Sequence, residues 1–252
     1  MILRRLTQSL KEQNWTAIVI EFVLLVIGVF LGIQVGNWNQ EREQRNMSVA
    51  FSARLREDLR REQWVEQMVI EYNRQVRKNA EHTLAALDGR QSLSDEQFLI
   101  SAYRATQYLY SNSNRSTYDE LVSTGTMDLI ADVRLRKIAN DAFTTPLYGQ
   151  ITERAQNSEY RKLFRETVSF DVQNALSARC GDRPARALDY TALKYVLDYP
   201  CTLGLPATSI RDAASALRAQ PRLLPALQLR HADLGTAITD LTRDLARKAL
   251  VP

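Results

Sequence analysis

Few side chains here have the type and spacing that chemistry requires. The two histidines, His82 and His231, form no H-E-x-x-H pair. His82 falls beside the apolar positions of a helical stretch and is expected to face solvent. His231 aligns with Leu227, Leu234, Ile238 and Leu241, and reads as a core or edge histidine, not a ligand. The G-x-S-x-G, P-loop and dinucleotide-binding patterns are absent. No catalytic, cofactor-binding or metal-binding residue is therefore expected, and the chain reads as a non-enzyme without a cofactor. Cys180 and Cys201 are the only cysteines, and no C-x-x-C unit exists that would suggest a redox or zinc site. In an oxidising compartment they are expected to pair, closing a loop worth about 3 kcal/mol in the chain-entropy account. In a reducing cytoplasm they would be buried thiols.

The most informative charge is Glu21, the only formal charge in the apolar run Trp15–Val35. A helix of that length spans about 30 Å, the thickness of a bilayer core. Trp15 and Trp38 bracket it where interfacial aromatics belong. No small-x-small cleavage site follows, so the run is expected to be an uncleaved anchor at 15–36 and not a signal peptide. Residues 1–14 carry Arg4, Arg5 and Lys11 against Glu12, a short positive leader of the kind that stays in the cytoplasm. Residues 37–252 are then extracytoplasmic, which in a Gram-negative bacterium means periplasmic. Glu21, Leu25, Gly28, Gly32 and Gly36 are spaced by 4, 3, 4 and 4 and share one helical face. Glycines at such spacing let backbones approach closely, which is how helices associate in lipid. An acidic group there costs on the order of 2–3 kcal/mol on insertion, so Glu21 is expected either to enter uncharged or to meet a donor on another helix. Gln34 is the only other polar side chain of the inner run, which argues against proton transport by this chain alone.

The elements that follow are helical. No glycine or proline occurs from Trp38 to Asp88, and apolar residues recur from Met47 through Leu55, Leu59, Val69, Tyr72, Val76 and Ala80 to Leu87. Spacings of 3 and 4 predict one long amphipathic helix with a single apolar stripe, continuous with the anchor. Ser94 and Asp132 are expected to cap helices, and Thr117-x-x-Glu120 to form a capping box. Pro146 interrupts a helix, a cysteine-bearing excursion spans 180–208, helix resumes from Ser209, and a last long helix begins near Pro221. No run alternates at period two. The predicted fold class is all-α: a transmembrane helix running into a long helix, then an elongated antiparallel bundle. Tyr103, Tyr108, Arg115, Tyr118, Asp119 and Glu120, with Tyr110, Asn112 and Asn114, form the densest polar–aromatic stretch. It is a candidate ligand or partner surface, or else simple hairpin packing with Asp119 and Glu120 serving a helix N-terminus.

Two segments resemble a bacterial family of unknown function whose members are single-span, membrane-anchored helical proteins. One is Glu21 to Asn39, read as E–hydrophobic run–V-I-G–Q–N-W-N. The other is Tyr118-Asp119-Glu120-Leu121 with Ser123, Gly125 and Ile130. Gly32 stands where that family usually has alanine, and Met127 where it usually has leucine. The resemblance implies the anchor and a helical domain, and no activity or site residues.

Composition agrees with this outline. The chain has 252 residues, 45% hydrophobic and 25% charged, which excludes wholesale disorder and a disulfide-dense mini-protein. A mean hydropathy of −0.31 excludes a polytopic membrane protein but not a single span. The net charge of +4 is a thin excess of 33 basic over 29 acidic residues, and no nucleic-acid module appears, so no nucleic-acid partner is expected. The expected partners are the lipid bilayer and either a second copy or another membrane protein. The leading functional expectation is an interaction or accessory subunit of the inner membrane. The alternative is a periplasmic ligand-binding sensor domain that signals through a partner.

Overall fold

The structure is a computed structural model that describes residues 15–110 and 113–248, with side chains from Val19 onward. Arg4, Arg5, Lys11 and Asn112, and the side chain of Trp15, lie outside the described residues. The fold is all-α. The helices are α1 (Trp15–Leu87), α2 (Asp95–Ala105), α3 (Ser116–Ser123), α4 (Val133–Thr144), α5 (Leu147–Gln156), α6 (Glu159–Thr167), α7 (Phe170–Cys180), α8 (Ala207–Arg218) and α9 (Leu223–Lys248). Short 3₁₀ turns occupy Met127–Leu129 and Ala192–Tyr195. The expected continuity is present: apolar run and amphipathic stretch form one helix of 73 residues.

The chain divides into two units. The first holds α1 up to Ala53 and the segment Asp128–Ala131. Its apolar residues from Val19 to Val35 are exposed, and the helix contains a window of mean hydropathy 2.4, enough to make it a candidate membrane span near the N-terminus. The Ser48 hydroxyl donates to the Leu129 carbonyl and ties the short segment to the helix.

The second unit holds α1 from Arg54 together with the remaining helices. Its main core joins Phe98 and Leu99 of α2 to Tyr160 and Phe164 of α6, Leu176 of α7, Leu217 of α8 and Leu227 of α9. A second cluster sets Val69 and Ile70 of α1 against Ile151 of α5 and Leu241 of α9. A third sets Tyr72 and Val76 against Val196, Leu197 and Leu234.

Burial on α1 is wider than the single stripe expected from the spacing. Trp64 and Ile70 are buried as well as the stripe, and so are Asp58, Glu62, Glu66, Asn73, Gln75, Asn79 and Thr83. Other helices cover this stretch on more than one face, so its polar residues had to find partners inside. Asn73 and Asn79 donate to the carbonyls of Val69 and Gln75 one turn back, at 2.8 Å each. Gln75 reaches outward: its amide donates to the Leu193 carbonyl at 2.6 Å and accepts from the N–H groups of Leu197 and Asp198.

Two helix starts form as expected. Ser94 makes a full capping box with Gln97, and Asp132 accepts from the N–H groups of Arg134 and Leu135 at 3.0 Å. The third does not. Arg115 stands at the N-cap of α3 without a side-chain cap. The Thr117 N–H is met instead by the buried carboxylate of Asp58, at 3.2 Å from α1, and Glu120 turns outward to pair with Arg54. A long-range acceptor supplies what the local box was expected to supply, because packing against α1 places Asp58 at the α3 N-terminus.

Helix C-termini are closed by buried and half-buried guanidinium groups. Arg230 of α9 donates to the carbonyls of Ala105 and Gln107 at the end of α2, and Arg161 of α6 donates to Thr106. Burial draws Arg230 down to about 10. Arg104 donates to the carbonyl of Cys180, the last residue of α7, and to that of Tyr199. Cys180 and Cys201 form the disulfide that fastens the return of the 181–206 segment onto α7. Gly204 follows it at a φ of 63°, where a Cβ would also meet the Arg179 guanidinium, so only glycine fits without rearrangement.

Candidate functional site

On the candidate membrane span of α1, Glu21, Leu25, Gly28, Gly32 and Gly36 lie on one exposed face. A Cβ added at any of the three glycines would meet nothing within 4 Å. Glu21 is exposed on this face beside Leu25, which is 65% exposed.

The six residues of the polar–aromatic stretch separate into two settings. Tyr103 packs on Phe164 with ring centroids 6.2 Å apart, and burial raises its phenol. Tyr108 lies under the Arg161 guanidinium at 4.8 Å. Tyr118 belongs elsewhere: it is buried against the Phe143 ring at 5.3 Å and its hydroxyl donates to Asn140 at 2.9 Å. Arg115 donates to Asp119 and to the Phe143 carbonyl, while Glu120 pairs with Arg54. One group serves the α2–α6 junction and the other fixes α3 on α4, so they do not converge on one surface.

The histidines stand apart from metal chemistry. His231 is half-buried, with Nε2 between Glu81 at 2.9 Å and Arg77 at 3.1 Å, in keeping with an edge histidine that has its partners. His82 is also half-buried, not solvent-facing, with Nδ1 on the Gln91 amide oxygen at 3.1 Å. Among the described residues no group of histidine, cysteine and acidic side chains could hold a metal ion.

The densest unexpected constellation lies where α1, α5 and α9 meet. Glu62 and Glu66 project from α1, Tyr148 from α5, and Asp244 and Lys248 from α9. The Lys248 ammonium is 2.5 Å from Asp244 and 3.3 Å from Glu66, and its side chain is only 10% exposed. It also lies 5.5 Å over the Tyr148 ring. One Glu62 oxygen accepts from Ser113 at 2.8 Å. Glu66 is fully buried, and its Oε1 and the Tyr148 hydroxyl make no well-formed hydrogen bond, though the Tyr148 phenol feels the Glu66 charge. Three carboxylates thus face one ammonium in a medium that solvates none of them well.

No known protein family, characterised protein or solved structure matches the chain.

Burial raises Glu66 to about 7, with Asp244 pushing the same way and Lys248 opposing. Burial likewise raises Glu62 and Tyr148, the latter helped by the Glu66 and Glu62 charges. The folded state therefore holds a proton on Glu66 at pH values where the unfolded chain, near 4.5, has released it. A carboxyl group raised in the folded state stabilises below its unfolded value and loses that contribution as pH climbs to the folded one. The shift corresponds to a loss on the order of 3 kcal/mol between about pH 4.5 and 7. Urea titrations at pH 5, 6, 7 and 8 should show this fall, and Glu66→Gln should flatten the Glu66 part of it. A wild-type and Glu66→Gln pair with parallel pH profiles would show that Glu66 does not carry a folded-state proton.

Proposed function

We propose that the chain is a single-pass inner-membrane protein that acts as an interaction or accessory subunit. Its N-terminus faces the cytoplasm and its helical domain the periplasm. The anchor recruits a second copy or another membrane protein through the face of Glu21, Leu25, Gly28, Gly32 and Gly36. The observation that supports this reading most is that face itself: an apolar helix with three glycines in register, nothing packed over them, and the only formal charge of the run beside them. The Cys180–Cys201 disulfide supports an oxidising compartment for the second unit.

Glycine-mediated association depends on backbone approach, and a leucine side chain at the contact blocks it. Gly28→Leu or Gly32→Leu should lower cross-linking within the membrane at least about fivefold, equivalent to about 1 kcal/mol. Glu21→Gln should retain association through its amide, whereas Glu21→Leu should reduce it. In-membrane cysteine cross-linking at positions flanking the face reads both effects. Equal cross-linking of wild type and all variants would remove the packing face from the account.

A further inference from the structure

Beside the buried charge cluster, a cavity of about 300 Å³ opens between α1, α4 and the end of α9. This sits at the lower end of the range that small-molecule sites occupy. Leu59 of α1 and Ile138 and Ala142 of α4 form an apolar wall. Arg56 and Arg60, one turn apart on α1, stand at the cavity with Lys248. From these groups we infer that the cavity binds a small organic anion, a monocarboxylate carrying a compact apolar or aromatic body.

Arg56 is held by Asp132 only at 3.4 Å, with both side chains about half exposed. Arg60 is paired with Glu57 through an exposed i,i+3 contact at 2.7 Å. Exposed pairs of this kind are worth about 0–1 kcal/mol, so either guanidinium can turn to a ligand carboxylate at little cost, and a guanidinium offers two parallel donors to it. The single acidic group in the lining, Glu62, accepts from Ser113 at 2.8 Å, and burial raises its carboxyl, which favours its neutral form. Lys248 is already matched by Glu66 and Asp244, so the donors left for a ligand carboxylate are the two guanidinium groups. An apolar body lies against Leu59, Ile138 and Ala142 and removes their surface from water. A cationic amine of the same size would meet the two guanidinium groups and is disfavoured by their repulsion. The inference is independent of the membrane-face reading, since every residue it uses belongs to the second unit.

The test uses the full chain in a nonionic detergent with two fluorinated probes of near-equal size, 4-fluorophenylacetate and 4-fluorophenethylamine. Fluorine NMR is recorded against protein-free micelles. The anionic probe should broaden and shift saturably with protein, and the amine should match the protein-free control. Arg56→Gln combined with Arg60→Gln, both surface changes, should weaken the anion at least about tenfold, and Ile138→Phe should abolish it by filling the apolar wall. Helix content by circular dichroism confirms that each variant is folded. Failure of the anion to bind above the micelle control, equal binding of the amine, or unchanged affinity in the double arginine variant would each overturn the inference.

Discussion

Lys248→Met is expected to be among the most destabilising single substitutions in the chain, removing about 3–5 kcal/mol. The ammonium is the one positive group among Glu66, Asp244 and Glu62, and Glu66 is fully buried. Methionine keeps the stem's packing but removes the cation beside Asp244 and Glu66, so above about pH 7, where Glu66 gives up its proton, two carboxylates face each other with nothing to offset them. The penalty is that of stranded charge, not of a lost contact. The companion result distinguishes the two: Lys248→Met together with Glu66→Gln and Asp244→Asn should recover most of the stability, because a neutral set can hydrogen-bond internally. Urea unfolding followed by near-ultraviolet circular dichroism measures both. A loss below about 1 kcal/mol in the single variant would show that the carboxylates never needed the ammonium.

The second large effect concerns the disulfide. Cys180→Ser with Cys201→Ser opens a link across a sequence separation of 21, worth about 3 kcal/mol in the chain-entropy account. The cost should be concentrated in the 181–206 segment, where other ties exist: Gln75 to Leu193, Leu197 and Asp198, and Arg104 to Tyr199. Hydrogen exchange should therefore accelerate at Leu197 and Asp198 before it does at Leu99 or Phe164. Uniform acceleration across the unit would show that the disulfide stabilises the whole helical core and not this segment.

How much of this was legible in the sequence follows from the range of each interaction. The all-α class, the continuity of α1 and the caps at Ser94 and Asp132 depend on neighbours within a few residues, and spacing and side-chain type disclose them. The cysteine pairing was legible because only one pairing exists. The α3 cap was not, since its acceptor, Asp58, is 59 residues away from Thr117. The polar–aromatic stretch looked like one surface because its residues are close in sequence. The turn between α2 and α3 sends Tyr103 and Tyr108 to α6, and Tyr118 to α4. The charge cluster left a trace that the stripe concealed. Leu55, Leu59, Glu62, Glu66 and Val69 are spaced by 4, 3, 4 and 3, and Leu234, Ala237, Leu241, Asp244 and Lys248 by 3, 4, 3 and 4. Acidic residues at core positions of one helix, matched by a lysine at a core position of another, are the mark of a buried charge group. Reading only the apolar members of each series passes over it.

The central claim is a permanent tether in the membrane with the helical domain outside it. Protease treatment of intact spheroplasts carrying a chain tagged at both ends tests this directly. The account predicts that the C-terminal tag is destroyed, while the N-terminal tag survives on a short fragment that stays with the membrane after alkaline washing. A protected C-terminal tag, or an intact chain released into buffer, would contradict it.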